Sequence, residues 1–155
     1  MLNISVSTKM SMKFFNLITA TFTFFILSAH LFGHCQIPCG IYDDSARLKQ
    51  MLEDVATVKK ANINIIILSN RSDAQSSQQL IRWVQNKEQH AENIISTTCD
   101  YFLTQRLKPG QEDYVVRLSG HHKVILLAMK AKQNCNAQVA LDLRNAIEAL
   151  IPYYD

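Results

Sequence analysis

The sequence predicts an all-α domain, an up-down-up-down four-helix bundle occupying residues 43–155. Three observations predict it. Glycine and proline, which punctuate chains, are absent between Gly40 and Pro109, so that span is long regular structure. Apolar residues recur at helical spacing in four separate segments. The links between segments are short, which makes consecutive helices antiparallel neighbours.

The first helix is read from Leu48, Met51, Leu52, Val55, Val58, Ile65 and Ile66, with Lys49, Lys59 and Lys60 on other faces. Asn62 and Asn64 are weak points in it. The run Ile65-Ile66-Ile67-Leu68 has strand composition, but its length and flanks favour helix. Ser69-Asn70-Arg71 makes the break, and Ser72 with Gln75 forms a capping-box pattern that opens a second helix. Leu80, Val84, Ala91, Ile95, Phe102 and Leu103 line that helix. Lys108-Pro109-Gly110 is a turn. A third helix runs to Gln133 with Leu118, His122, Ile125 and Met129 on one face. Gly120 interrupts it at a cost of about 1 kcal/mol against alanine. Asn134 to Asn136 breaks the chain again, and Val139, Leu143, Ala146, Ile147 and Leu150 make a fourth helix stopped by Pro152.

Ahead of the bundle, residues 1–33 read as a leader. Lys9 and Lys13 precede the apolar run Phe14 to Phe32, and Gly33 closes it as a small residue, the plan of a secretory signal peptide. Met10 and Met12 are alternative starts. The competing reading is a membrane anchor, weakened by Asn16, Thr19, Thr21, Thr23, Ser28 and His30 within the run. Cleavage after Gly33 by a leader-processing peptidase is therefore expected, with export to the periplasm or the extracellular space. Contact with a membrane is then expected only through the leader. The remaining 122 residues suffice for one core. Removing Lys9 and Lys13 leaves fourteen basic residues against thirteen acidic, so nothing calls for nucleic acid or an anionic membrane.

Cleavage there gives the segment 34–42 its meaning. His34-Cys35-Gln36-Ile37-Pro38-Cys39 would begin with a free amine on a histidine followed at once by a cysteine. The amine and the Cys35 amide nitrogen close one five-membered chelate ring, and that nitrogen with the Cys35 sulfur closes a second. Cys39 returns another thiolate across a turn shaped by Pro38 and Gly40, and the His34 imidazole stands ready above the plane. Two nitrogens and two sulfurs in a plane suit nickel or copper better than zinc, which prefers a tetrahedron. The same cysteines are also close enough in sequence for a small disulfide loop in an oxidising compartment.

The pattern His34-Cys35-x-x-Pro38-Cys39-Gly40-x-Tyr42-Asp43 resembles the nickel hook of nickel-containing superoxide dismutases. A second stretch agrees: Lys87-Glu88-x-x-Ala91-Glu92, then Asp100-Tyr101-Phe102 and Lys108-Pro109, is similar to that family's second helix and following turn. The resemblance implies one nickel ion per subunit and an antioxidant oxidoreductase that converts superoxide to O2 and H2O2 by Ni(II)/Ni(III) cycling. It implies that His34 gives its amine and, in the oxidised state, an axial imidazole. Cys35 would give its amide nitrogen and thiolate, Cys39 its thiolate, and Tyr42 would lie over the open face and crowd the approach. It also implies a homohexamer of four-helix bundles.

Three positions depart from the family pattern. Gln36 stands where aspartate is frequent. The seat of an acidic residue on the first helix falls near Lys49 or Gln50. His90 takes the place of an arginine seen in some members, as a support for the hook or as a bundle histidine bonded to a carboxylate. Cys99 and Cys135 read as packed or mutually paired residues, and His121-His122 as neighbours pointing to different sides of a helix. Trp83, Tyr153 and Tyr154 read as core or interface. A di-iron bundle would need Glu-x-x-His pairs, which the chain lacks. The alternative to the enzyme is a non-catalytic extracytoplasmic module that holds nickel or copper through the same terminus.

Overall fold

Asp43 opens the first helix by chemistry its side chain allows: extended at φ −85°, it accepts from the Ala46 amide at 3.2 Å and caps α1, Asp44–Ser69. The structure, a computed structural model, describes residues 43–154. Asn70 ends α1. Asp73 then caps α2, Ala74–Ser96, by accepting from the Ser76 amide at 2.8 Å. The cap is thus Asp73 and not the expected Ser72, because an aspartate one residue later accepts the same kind of orphan amide with a charge. α2 passes directly into a π-helical segment, Thr97–Arg106, followed by a turn in which the Gln111 amide donates to the Lys108 carbonyl at 3.0 Å. α3 spans Tyr114–Gln133 and α4 spans Ala137–Glu148, capped by Asn136 through the Gln138 amide. A 3-10 turn, Ile151–Tyr153, carries Pro152.

The predicted architecture is the observed one. α1 packs against α2 and α4, and α3 against the same two, so sequential helices are neighbours around one core. Leu48, Met51, Val55 and Val58 of α1, Ala91 and Ile94 of α2, and Val139, Leu143 and Ile147 of α4 fill it. Among the described residues no helix is long and apolar enough to cross a membrane.

Two helical faces differ from expectation. On α3 the buried residues are His121, Val124, Ala128 and Ala131, whereas Leu118 and Met129 are 38% and 45% exposed and His122 is exposed. The face is rotated by one residue, because α3 offers apolar side chains all round and the small Ala128 and Ala131 allow closer approach than methionine. On α2, Val84 is exposed and the inward stripe holds Lys87, Ala91 and Ile94. Gly120 has a packing reason: a Cβ there would sit 3.0 Å from Leu150 Cδ2, in the core.

Candidate metal centre

The expected ligands His34, Cys35 and Cys39, with Tyr42, lie outside the described residues, as do the leader and the rest of the hook. Their donor chemistry fits nickel: an amine, a deprotonated amide and two thiolates are strong-field, charge-donating groups. The described residues begin where that segment joins α1. Among them no group of three histidine, cysteine, aspartate or glutamate side chains could hold a metal ion.

At the join, Asp44 begins α1 and is tied to the π-helical segment. The Tyr101 hydroxyl donates to Asp44 Oδ1, and Arg106 Nε donates to the same oxygen at 2.7 Å. Arg106 Nη2 donates to the Tyr101 oxygen at 2.7 Å, and the guanidinium lies 5.0 Å from the centre of the Tyr101 ring. Burial, helped by the hydrogen bond to Asp44, holds the Tyr101 phenol above its ordinary pKa. The pairing depends on the π winding. In an α-helix residues five apart lie about 140° apart around the axis, whereas i→i+5 winding stacks them. The Leu107 amide to the Phe102 carbonyl at 3.0 Å and Thr104 Oγ1 to the Cys99 carbonyl at 2.7 Å are bonds of this step. An expectation of continuous α-helix therefore misses Arg106 as a partner of Tyr101.

One turn beyond Gln50, α1 carries a buried carboxylate. Lys49 and Gln50 are exposed, but Asp54 is buried, and His90 Nδ1 on α2 donates to Asp54 Oδ1 at 2.6 Å. His90 is thus bonded to a carboxylate of the bundle, and the hook it was also expected to support lies outside the described residues. The sequence signal for Asp54 was its place on the apolar stripe of Met51, Val55 and Val58, where a lone acid needs a partner.

The second family-like stretch knits α2 to α3. Lys87 is buried, and its Nζ donates to the Lys132 and Asn134 carbonyls at 2.9 and 3.2 Å, plugging the C-terminal end of α3. Lys132 in turn donates to Glu92 Oε2 at 2.6 Å, and Ala91, fully buried, lets the two helices close.

His121 and His122 do point to different sides. His121 Nδ1 donates to the Arg117 carbonyl at 2.7 Å, so Nε2 is the acceptor and takes the Tyr154 hydroxyl at 3.0 Å. Burial lowers the His121 pKa and pushes that of Tyr154 up to about 12. This cluster, with the Phe102 ring in tilted contact with both rings, is a structural anchor for the C-terminal turn. Tyr153 and Tyr154 pack against the core, as expected. Cys99 and Cys135 are free thiols, each partly buried, and do not pair with one another. Burial and neighbouring acids raise the Cys99 pKa, which makes its thiol a poor nucleophile.

Comparison with known proteins adds a family. A model described as nickel-containing superoxide dismutase matches residues 28–155, taking in the segment 34–42 and all four helices. No curated protein and no solved structure matches the chain.

Proposed function

The chain belongs to the nickel-containing superoxide dismutase family, and from that premise we propose that superoxide is dismutated at its N-terminal hook, by His34, Cys35, Cys39 and Tyr42. Membership makes the protein an oxidoreductase acting on superoxide, with nickel as its metal. The observation that carries the assignment is the extent of the match, which covers hook and bundle together. Bound nickel supplies a centre that passes between Ni(II) and Ni(III), so that one superoxide leaves as O2 and a second, with two protons, as H2O2. The chain's part is to make that possible. The thiolates of Cys35 and Cys39 and the Cys35 amide donate the charge that brings the higher oxidation state within reach. His34 would hold the metal through its amine and its imidazole. Tyr42 would crowd the approach to the metal and restrict entry to a small anion.

The same reading sets one nickel per subunit, removal of residues 1–33 by a leader peptidase, and function in the periplasm or outside the cell. It also sets assembly as a homohexamer, supported by the exposed Ile63, Ile66 and Ile67 of α1 and Ile81 of α2, each about half exposed or more. The test has two parts. Mass spectrometry of the native protein should show His34 as the first residue, because any residue before it turns the ligand amine into an amide. Nickel-loaded protein should then accelerate superoxide decay over a metal-free control. An active form retaining Gly33 would overturn the ligand set, and tight nickel without decay would leave a metal-binding module.

A further inference from the structure

We infer that Asp44, Tyr101 and Arg106 clamp the root of the hook, with Arg106 as a positioning residue for the metal-binding terminus; this rests on the hook being the metal site. Asp44 is separated from Tyr42 by one residue and from Cys39 by four. Whatever fixes Asp44 fixes where the hook leaves the bundle. The clamp does so with three groups that meet at one point: Arg106 Nε on Asp44 Oδ1 at 2.7 Å, the Tyr101 hydroxyl on that oxygen, and Arg106 Nη2 on the Tyr101 oxygen at 2.7 Å.

The clamp is itself held rigidly. Tyr101 is 7% exposed, and its neighbour Phe102 is fully buried against His121 and Tyr154. Behind Arg106, Gln111 Nε2 donates to the Arg106 carbonyl at 3.3 Å, and Gln111 Oε1 accepts from the Lys108 amide at 2.9 Å. The Arg106 and Asp44 side chains are 23% and 26% exposed, so solvent screens their attraction only in part. A π-helical segment is an uncommon winding and concentrates at functional sites. Here its effect is to aim two side chains five residues apart at Asp44, the second residue after the hook.

The physical benefit is preorganisation. Nine residues, 34–42, must bring an amine, an amide and two thiolates to one ion, and each ordered residue loses conformational entropy. Anchoring one end removes part of that loss before metal arrives. A purely helix-stabilising role for Asp44 needs no arginine, because an acid in the first turn already complements the helix dipole. The shared oxygen and the planar fork are what that role does not require.

The experiment compares wild type, Arg106→Gln and Arg106→Lys. In metal-free protein, amide hydrogen exchange over residues 41–47 should quicken in both variants while exchange in α3 stays unchanged. In nickel-loaded protein, release of nickel to a chelator should be about tenfold faster in both, since lysine keeps the charge but not the fork. The nitrogen splitting of the Ni(III) resonance should broaden. Unchanged exchange and unchanged release in both variants would overturn the clamp. If Arg106→Gln melts globally, Arg106→Lys alone carries the comparison, with the same two outcomes. Wild type that begins at His34 and takes up no nickel would overturn the hook reading and the clamp with it.

Discussion

Replacing Lys87 by methionine sets two large effects against each other. The lysine ammonium donates to the Lys132 and Asn134 carbonyls at 2.9 and 3.2 Å from a side chain that is buried. Hydrogen bonds from a charged group contribute about 1.5–3 kcal/mol each, and a cation at a helix C-terminus adds about 0.3–1 kcal/mol. Against this stands the desolvation of the ammonium, several kcal/mol for an ion taken out of water, which Lys87→Met removes. Methionine matches the lysine stem in length, so the packing of the stem is kept and no large cavity opens. The carbonyls of Lys132 and Asn134 belong to partly exposed residues and recover some water. The net expected loss is about 2–3 kcal/mol, roughly 10 °C in melting temperature for a domain of this size. Urea unfolding followed by circular dichroism, at one fixed protein concentration, measures it, with an unchanged m-value showing that the unfolding surface is the same. A variant as stable as wild type, or more so, would mean that desolvation outweighs the plug, and would refute the account of why lysine occupies this position.

Three other outcomes are expected. Cys35→Ser and Cys39→Ser should each abolish nickel redox cycling and superoxide decay while leaving the helical spectrum intact, because a hydroxyl cannot donate as a thiolate does; near-full activity in either would exclude the two-sulfur site. His90→Ala should cost about 1–3 kcal/mol, since Asp54 stays buried without its 2.6 Å donor, and His90→Asn should recover part of it; equal stability of all three proteins on thermal melting would contradict the pairing. For His121, burial lowers the folded-state pKa below the ordinary histidine value, so its contribution is complete above about pH 6.5 and is lost as pH falls through the folded pKa. Melting temperature should drop between pH 7 and pH 5 more steeply in wild type than in His121→Gln, and parallel curves would show that His121 charges as readily folded as unfolded.

The four helices were legible because their information is local. Period and punctuation place α1, α2, α3 and α4 within a few residues, and a break such as Ser69-Asn70-Arg71 acts through its own backbone. The core face of α4 was legible for the same reason: Val139, Leu143 and Ile147 form one buried stripe, which Leu150 continues just beyond the helix. On α3 that logic failed, since Leu118 and Met129 compete with Val124 and Ala128 for the inside, and only the neighbouring helices choose between them.

The sequence by itself set the donor groups proposed for residues 34–42, because chelate rings closed by adjacent residues depend on covalent order alone. It also determined the helical class, because periodicity belongs to a single segment. Only the tertiary structure decided the partners of isolated polar groups: Asp54 with His90, Lys87 with the end of α3, His121 with Tyr154, and Arg106 with Tyr101 and Asp44. Each of those pairs joins groups whose meeting depends on helix phase and crossing. A single departure from α winding, over Thr97–Arg106, turns Arg106 onto Tyr101 and toward Asp44, and no count of residue spacing on an ideal helix contains that rotation.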